Sequence, residues 1–191
     1  RIMTREPTRV EIILTRLAFL VYGKSVYKEF ADRLPLQGGE RVLDFGCGMG
    51  TVAYYTAKRL SEGYLTCLDI SGRWLNACRK TMRGHSNVSF VCAEATALPP
   101  NSLDVIYCHF VLHDISPSDL EIVFPALVCS LKPGGSLVFR EPLNEDEALR
   151  TIKRLAEHNG LALKDSRVTH VPLMGSTLES MYVKTPWEVL S

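Results

Sequence analysis

Short apolar runs alternate with longer amphipathic segments along most of the chain. The runs have the length of buried strands, and helical spacing fills three of the gaps between them. The predicted strands cover residues 42–45, 64–68, 88–92, 103–108 and 136–140. The predicted helices between them cover residues 51–60, 73–82 and 119–131. This alternation predicts an α/β fold with a parallel sheet covered by helices on both faces.

Two helices have recognisable starting residues. Ser116 is a predicted N-cap because Pro117 takes the first helical position and Asp119 lies three residues after the cap. Asn144, with Glu147 three residues further on, predicts the start of another helix, which closes at a glycine at position 160.

Beyond Gly160 the pattern changes to extended runs. Residues 161–171 and 178–184 are two such runs, and a segment with a proline and a glycine, residues 172–175, joins them without a helix. These runs predict an antiparallel hairpin at the end of the chain.

Apolar residues at helical spacing predict a helix near the start of the chain. They are Val10, Ile13, Leu14, Leu17, Leu20 and Val21. Ser25 is a predicted N-cap of a second helix that carries Val26, Tyr27 and Phe30. The apolar stretch 17–22 is too short to span a bilayer, so no transmembrane segment is predicted. These helices either cover the sheet or contact an apolar substrate, a partner subunit or a membrane surface. The sequence does not distinguish between these roles.

A glycine-rich turn follows the first predicted strand. Asp44 is followed by Gly46, Gly48 and Gly50. One glycine permits a sharp turn, a second lets the backbone approach a ligand, and a third lets the next helix pack tightly. A turn without a ligand could avoid the entropic cost of three glycines. The dinucleotide fingerprint would need glycine where Thr51 stands, which disfavours NAD, so the turn predicts another nucleotide-type cofactor.

Asp69 lies at the end of the second predicted strand. A carboxylate at this position is placed to accept hydrogen bonds from both hydroxyls of a ribose. The alternative is an acidic residue that interacts with the dipole of the following helix.

The glycine turn and the segments after it resemble the motifs of the class I S-adenosylmethionine-dependent methyltransferases. The matching segments are 44–50, 67–71, 90–99, 104–113 and 131–138, and they occur in the order of that family. The resemblance covers residues 38–184. It implies a Rossmann-like seven-stranded mixed sheet of order 3-2-1-4-5-7-6, with strand 7 antiparallel and helices on both faces.

The resemblance also implies S-adenosyl-L-methionine as cofactor and S-adenosyl-L-homocysteine as product. Asp69 would hold the ribose hydroxyls, Glu94 would accept from the adenine amino group, and the Ala95 N–H would meet the ring. The implied cofactor-binding residues are Asp44, Gly46, Cys47, Gly48, Gly50, Asp69, Ile70, Glu94, Ala95 and His109. In such methyltransferases N-terminal helices commonly close over the donor, which makes Tyr22 and Tyr27 candidate residues of the acceptor pocket.

Composition is consistent with a single domain over residues 1–191, with cap helices at 1–37 and the core at 38–184. The 46% hydrophobic content is enough to bury a full core. The net charge is only +1 and the basic residues are scattered, which argues against a nucleic-acid partner. Composition does not choose between a monomer and a homodimer.

Six cysteines lie at wide intervals, without a C-x-x-C pair or Cys/His ligand spacing. They are Cys47, Cys67, Cys78, Cys92, Cys108 and Cys129. We expect them to be small buried side chains with free thiols, which is typical of a reducing cytosol. The sequence therefore predicts a cytoplasmic location and no metal site.

Methyl transfer from a sulfonium is an in-line displacement that a protein accelerates largely by positioning, so no catalytic residue is assigned. A general base helps where the acceptor is a hydroxyl or an acidic carbon. His109, His113 and Glu141 are candidates because they follow the fourth and fifth predicted strands, at the ligand-binding edge. Alternatively, His113 orders its loop with Asp114, His109 offers only its backbone, and Glu141 pairs with Arg140 or a neighbouring cation.

Two departures bear on the acceptor. Amino-directed DNA methyltransferases have Asn/Asp-Pro-Pro-aromatic after the fourth strand, whereas this chain has Cys108-His-Phe-Val. The chain also leaves the fifth strand through Pro142 directly toward the next helix, without a substrate-binding insertion. A small-molecule or lipid-like acceptor is therefore predicted. The alternatives are an NAD(P)-dependent oxidoreductase and a non-catalytic methyltransferase-like binding subunit.

Overall fold

A computed structural model describes residues 6–186. The chain forms two compact units. The first unit ends at Glu94 and carries a parallel three-stranded portion of the sheet. Its helices are α1 Arg9–Tyr22, α2 Glu29–Arg33, α3 Ala53–Ala57 and α4 Gly72–Thr81, and its strands are β1 Arg41–Phe45, β2 Tyr64–Asp69 and β3 Val88–Cys92.

The second unit begins at Ala95, and its described residues form four strands and two α-helices. Its strands are β4 Leu103–His109, β5 Leu131–Pro142, β6 Leu161–Val171 and β7 Gly175–Lys184, and its helices are α5 Pro117–Ser130 and α6 Asp146–His158. Single 3-10 turns cover Ala95–Ala97 and Leu112–Asp114.

The strands hydrogen-bond in the order β3-β2-β1-β4-β5-β7-β6. β1, β2 and β3 are parallel, as are β4 and β5, whereas β7 is antiparallel to both β5 and β6. This order and the terminal hairpin confirm the predicted methyltransferase topology. The division of the chain into cap and core stays a prediction.

The predicted helix start at Ser116 is confirmed. Its Oγ accepts a hydrogen bond from the Asp119 backbone N–H at 3.2 Å, and Pro117 opens α5. The predicted start at Asn144 was wrong, because α6 begins at Asp146 and its N-cap residue, Glu145, makes no side-chain cap bond.

The predicted cap at Ser25 was also wrong. The backbone stays helical from Arg9 to Arg33, through a π-helical segment at Gly23–Lys28, and the Ser25 hydroxyl donates to the Tyr22 carbonyl. Gly23 permits this continuation, because a Cβ at that position would lie 2.7 Å from the Tyr55 hydroxyl.

Two other predicted elements differ in length. α3 is shorter than its predicted range, because a turn occupies residues 51–52 and the helix ends at Ala57. β5 begins at Leu131 rather than at residue 136, and its pairing with β4 shifts register between Leu103 and Val105. A positive φ of 79° at Gly134 bends the strand within that irregular stretch.

Among the described residues, no helix is both long enough and apolar enough to span a bilayer.

Candidate functional site

The glycine turn after β1 is held by the neighbouring strand. Gly46, Gly48 and Gly50 all have positive φ angles, of 73°, 52° and 81°. The backbone N–H groups of Gly46 and Cys47 donate to the carbonyl of Leu68 at 2.8 and 3.0 Å. A Cβ at Gly50 would lie 2.7 Å from the Cys78 sulfur, so the third glycine is needed for close packing on α4 as well as for its backbone angle.

Asp69 connects this turn to the start of α4. Its side chain is 8% exposed; Oδ2 accepts from the Gly48 N–H at 3.0 Å and Oδ1 from the Ser71 N–H at 2.9 Å. Burial raises the pKa of Asp69, and the two backbone hydrogen bonds offset only part of that effect. Each carboxylate oxygen can accept a second hydrogen bond, so the side chain still offers an acceptor on both oxygens.

An N-terminal segment lies against the same helix start, which the sequence did not predict. Ser71 caps α4 by accepting from the Trp74 N–H, and its hydroxyl donates to Glu6 Oε2 at 2.6 Å. Arg73 donates to the Pro7 carbonyl at 3.1 Å. The carboxylate of Glu6 therefore adds a second negative charge beside Asp69, and its charge also acts to raise the Asp69 pKa.

Three cysteines meet beneath the glycine turn. The sulfurs of Cys47, Cys67 and Cys78 lie within 4.8 Å of one another, and all three residues are buried. Hydrogen bonds from Cys47 and Cys67 lower the pKa of the Cys78 thiol, whereas hydrogen bonding and burial raise the pKa of Cys47. Such sulfurs could hold a thiophilic metal ion, which sequence spacing missed because the residues come from a loop, a strand and a helix. The absence of a metal stays a prediction.

The expectation that all six cysteines are buried was wrong for two of them. Cys92 ends β3, where side chains are exposed, and Cys129 lies on an exposed position of α5. Cys108 is buried, as expected.

The remaining predicted cofactor-binding residues lie in different environments. In the first unit Asp44 is buried on β1, Ile70 is half-buried, and Glu94 is exposed after β3. In the second unit Ala95 is buried and His109 ends β4. The structure thus brings Gly48 and Asp69 into direct contact, while the roles of the other residues stay predictions.

The second unit contains a buried carboxylate–histidine pair. Glu141 lies on β5, is fully buried, and accepts through Oε1 from the N–H groups of Val111 and Leu112 at 3.1 and 2.8 Å. Its Oε2 lies 2.5 Å from Nδ1 of His113, which lies in the 3-10 turn after β4. The other ring nitrogen, Nε2, is 3.4 Å from Oδ1 of the exposed Asp114.

The pair sets the charge and the orientation of the imidazole. Burial acts to lower the pKa of His113, but the hydrogen bond with Glu141 and the charges of Glu141, Asp114 and Glu145 together outweigh it and raise the pKa above its ordinary value. Because Nδ1 faces a carboxylate, the neutral ring carries its proton there and leaves Nε2 as the acceptor.

The surroundings of the other two candidates for a general base, His109 and Glu141, argue against that role. Burial, and then the charge of Arg140, lower the pKa of His109 well below its usual range, which makes it a weak base. Arg140 itself binds Glu179 at 2.8 Å, not Glu141. Neighbouring residues of a strand point to opposite faces of the sheet, so the side chains of Arg140 and Glu141 do not face each other. The alternative of an Arg140–Glu141 pair was therefore wrong.

Comparison with known proteins supports the same fold and family. A family model described as a methyltransferase domain matches residues 42–135. The chain is 31% identical over 122 residues to phosphoethanolamine N-methyltransferase 1 of Arabidopsis thaliana, covering 62% of this chain and 24% of that protein. It is 29% identical over 147 residues to trans-aconitate 2-methyltransferase of Paracidovorax citrulli, covering 71% of this chain and 56% of the relative.

A third relative is malonyl-[acyl-carrier protein] O-methyltransferase of a Marinomonas species, 31% identical over 62% of this chain and 44% of its own length. The chain thus spans from about a quarter to just over half of these curated relatives. Among solved structures, an S-adenosylmethionine-dependent methyltransferase from Aquifex aeolicus has a TM-score of 0.73 at 21% identity, covering 94% of this chain and all of that chain. This similarity concerns the fold.

Proposed function

The chain belongs to the class I S-adenosylmethionine-dependent methyltransferases, whose cofactor is S-adenosylmethionine, and from that premise we propose that it transfers a methyl group to a small-molecule or lipid-like acceptor. The observation that carries the proposal is the contact between Asp69 and the Gly48 N–H. It ties the ribose-binding candidate to the backbone that would approach the donor.

The residues of the first unit fit such a donor. Asp69 has one further acceptor position on each carboxylate oxygen, which matches the two hydroxyls of a ribose. Gly48 adds no side chain, and a Cβ built there would meet open space, so the backbone is accessible to a ligand. Asp44, Cys47 and Ile70 are proposed as neighbours of that ligand.

Glu94, Ala95 and His109 are carried as proposals from the family resemblance. Glu94 is exposed, as an adenine-binding carboxylate must be before the ligand arrives, and Ala95 is a small buried residue with a backbone N–H to offer. His109 is neutral near pH 7 because its pKa is lowered, which supports a contact through its ring or backbone rather than proton transfer.

S-adenosylmethionine supplies the electrophilic methyl group and its thioether leaving group, so the chain has to position the acceptor and, where required, remove a proton. We propose that His113 Nε2 takes that proton. Glu141 fixes the ring through the 2.5 Å contact at Nδ1 and stabilises the positive charge that appears when Nε2 is protonated. Glu141 acts through the ring and is a positioning residue.

The acceptor is proposed only by class. The relatives named above act on phosphoethanolamine, malonyl-acyl-carrier protein and trans-aconitate, three different acceptors, and their names do not select one for this chain. A cytoplasmic protein without a nucleic-acid partner is proposed from the net charge of +1 and the free cysteines. A monomer and a homodimer both stay compatible with the proposal.

The test is calorimetric titration of S-adenosylmethionine, S-adenosylhomocysteine and NAD into the chain and into Asp69→Asn. Loss of a charged hydrogen-bond acceptor should weaken both S-adenosyl ligands by about tenfold to hundredfold. NAD should not bind. Glu62→Gln, at an exposed position before β2, is the matched control and should bind like the parent chain.

Two results would contradict the proposal. Binding of NAD alone would favour the oxidoreductase alternative. Tight binding of the S-adenosyl ligands, without methyl transfer to any compound in a broad acceptor screen, would favour a non-catalytic binding subunit. Circular dichroism and thermal unfolding of Asp69→Asn check that the variant stays folded, because Asp69 also accepts from the N–H of Ser71, the N-cap of α4.

A further inference from the structure

α1 is apolar on the side that faces away from its own unit. The stripe consists of Val10, Ile13, Leu14, Leu17, Leu20 and Val21, and these side chains are exposed by between 51% at Leu17 and 73% at Leu20. At 3.6 residues per turn they occupy an arc of about 120°. Monomeric soluble proteins rarely leave a contiguous row of large apolar side chains uncovered unless it serves an interaction.

The orientation of this apolar stripe is fixed from the opposite side of the helix. Phe19 packs against Tyr27, Tyr54 and Tyr55, with ring centroids 6.0, 5.7 and 5.9 Å away. The helix start is held by a capping box between Thr8 and Glu11. Rotation of α1 to bury the stripe would break the ring contacts of Phe19, so the exposure is a property of the packed unit.

A groove along one edge of the apolar stripe collects positive charge. It has a volume of about 510 Å³ and is lined by Arg16, Phe19, Leu20, Met49, Tyr54, Lys80, Thr81 and Arg83. None of these described lining residues is acidic. Lys58 adds a further cation, with Nζ 3.9 Å from the centroid of the Tyr54 ring.

The three cationic side chains that line the groove are not neutralised by carboxylates of their own unit, within the part of the chain that the structure describes. In residues 6–186, Arg16, Lys80 and Arg83 have no carboxylate partner. The one acid on α1, Glu11, lies away from this edge and accepts from the Thr8 N–H in the capping box. A second copy of the chain would therefore bring an apolar helix to the stripe but no available carboxylate on that helix to the groove.

We propose that the apolar stripe and the cationic groove together dock α1 on an anionic phospholipid membrane surface. The stripe would enter the boundary between headgroups and acyl chains, while Arg16, Lys80 and Arg83 would contact lipid phosphates. Arginine and lysine at such an edge extend their charged ends toward the headgroups while their stems cover apolar surface. This interfacial docking does not depend on methyl transfer, and no bilayer crossing is involved.

The experiment is co-sedimentation of the full chain with vesicles of phosphatidylcholine alone and of phosphatidylcholine mixed with phosphatidylserine. The chain should bind the anionic vesicles and lose that binding as salt rises. Lys80→Glu with Arg83→Glu should weaken it by about 25-fold or more, since each cation near an anionic surface contributes about fivefold. Leu14→Ser with Leu17→Ser should weaken it by at least about tenfold.

Matched controls are Lys153→Glu and Val168→Ser, which make the same kinds of change at exposed positions of the second unit and should leave vesicle binding unchanged. S-adenosylmethionine titration of every variant separates failure of the docking from failure of the donor site. Equal binding to neutral vesicles, or full binding by the groove variant, would overturn the proposal. So would a dimer, seen by analytical ultracentrifugation without vesicles, that the leucine variant dissociates.

Discussion

Two buried carboxylates, one in each unit, make similar contacts of different consequence. Asp69, at the end of β2, accepts from two backbone N–H groups, those of Gly48 and Ser71. Glu141, on β5, also accepts from two backbone N–H groups, and in addition from the ring of His113. Backbone partners do not titrate, whereas an imidazole does.

The difference supports the proposed ligand-binding role of Asp69 and the proposed proton-transfer role of His113 with Glu141. Asp69 holds a turn and a helix start in place and keeps acceptor capacity for a ligand. Its raised pKa indicates that burial costs more than the backbone bonds return, which is typical of a residue retained for a ligand. The second oxygen of Glu141 accepts from His113, so its negative charge stabilises the protonated form of a group that can exchange a proton.

The largest effect is expected at His113. His113→Ala should lower kcat by about 10²–10⁴-fold, the usual contribution of a general base, while S-adenosylmethionine affinity stays unchanged. The measurement is transfer of a labelled methyl group to an acceptor found by screening, with calorimetry for the donor. His158→Ala, on the exposed face of α6, is the control. Unchanged kcat in His113→Ala would reduce the pair to a structural contact that orders the turn after β4.

How far the sequence predicts this arrangement depends on the distance between partners along the chain. The β3 bounds and the Ser116 cap were predicted correctly, because strand patterning and capping depend on residues within a few positions. The Ser25 cap failed for a tertiary reason, since the packing of Gly23 against Tyr55 keeps the helix continuous. Local preference was overridden there by a contact that sequence reading does not show.

The candidate site shows the same limit. Asp69 and Gly50 could be proposed from the motif, but the contact between Glu6 and Ser71 joins residues 65 positions apart and leaves no local signal. His113 and Glu141 were both candidates, yet only the fold shows that they form one pair, 28 positions apart in the chain. The cysteine cluster was missed because ligand-spacing rules apply to adjacent turns, not to a loop, a strand and a helix.

A smaller effect is expected from Glu141→Gln, which keeps the shape of the side chain. The amide oxygen can still accept from Val111 and Leu112, but the amide NH2 now faces Nδ1 of His113. The neutral ring must then accept at Nδ1 and carry its proton on Nε2, the wrong tautomer for a base. We expect kcat to fall by about tenfold to hundredfold and the unfolding free energy to fall by about 1–2 kcal/mol.

Chemical denaturation and methyl-transfer kinetics test that variant, with Glu147→Gln on the exposed start of α6 as control. A double-mutant cycle that combines Glu141→Gln with His113→Ala tests whether Glu141, unlike Asp69, acts through an imidazole. If the two residues act as one unit, the double variant should be little slower than His113→Ala alone. Additive losses would show that Glu141 acts independently of the imidazole.

The smallest expected effect is a pH dependence of stability. The folded pKa of His113 is raised, so its contribution is fully present below the unfolded value of about 6.5 and is lost as pH rises through the folded pKa. His109 acts in the opposite sense. Its folded pKa is lowered, so it favours folding above about 6.5 and that contribution is lost as pH falls.

Subtraction isolates the contribution of His113. The unfolding free energy of the parent chain minus that of His113→Gln cancels the His109 term, and the difference should decline as pH rises through the folded pKa of His113. The same subtraction in a Glu141→Gln background should no longer decline as pH rises, because the hydrogen bond and charge of Glu141 that raise the pKa of His113 are gone while burial, which lowers it, remains. A difference that keeps its slope in that background would assign the raised pKa to Asp114 or Glu145, the other carboxylates whose charges act on His113.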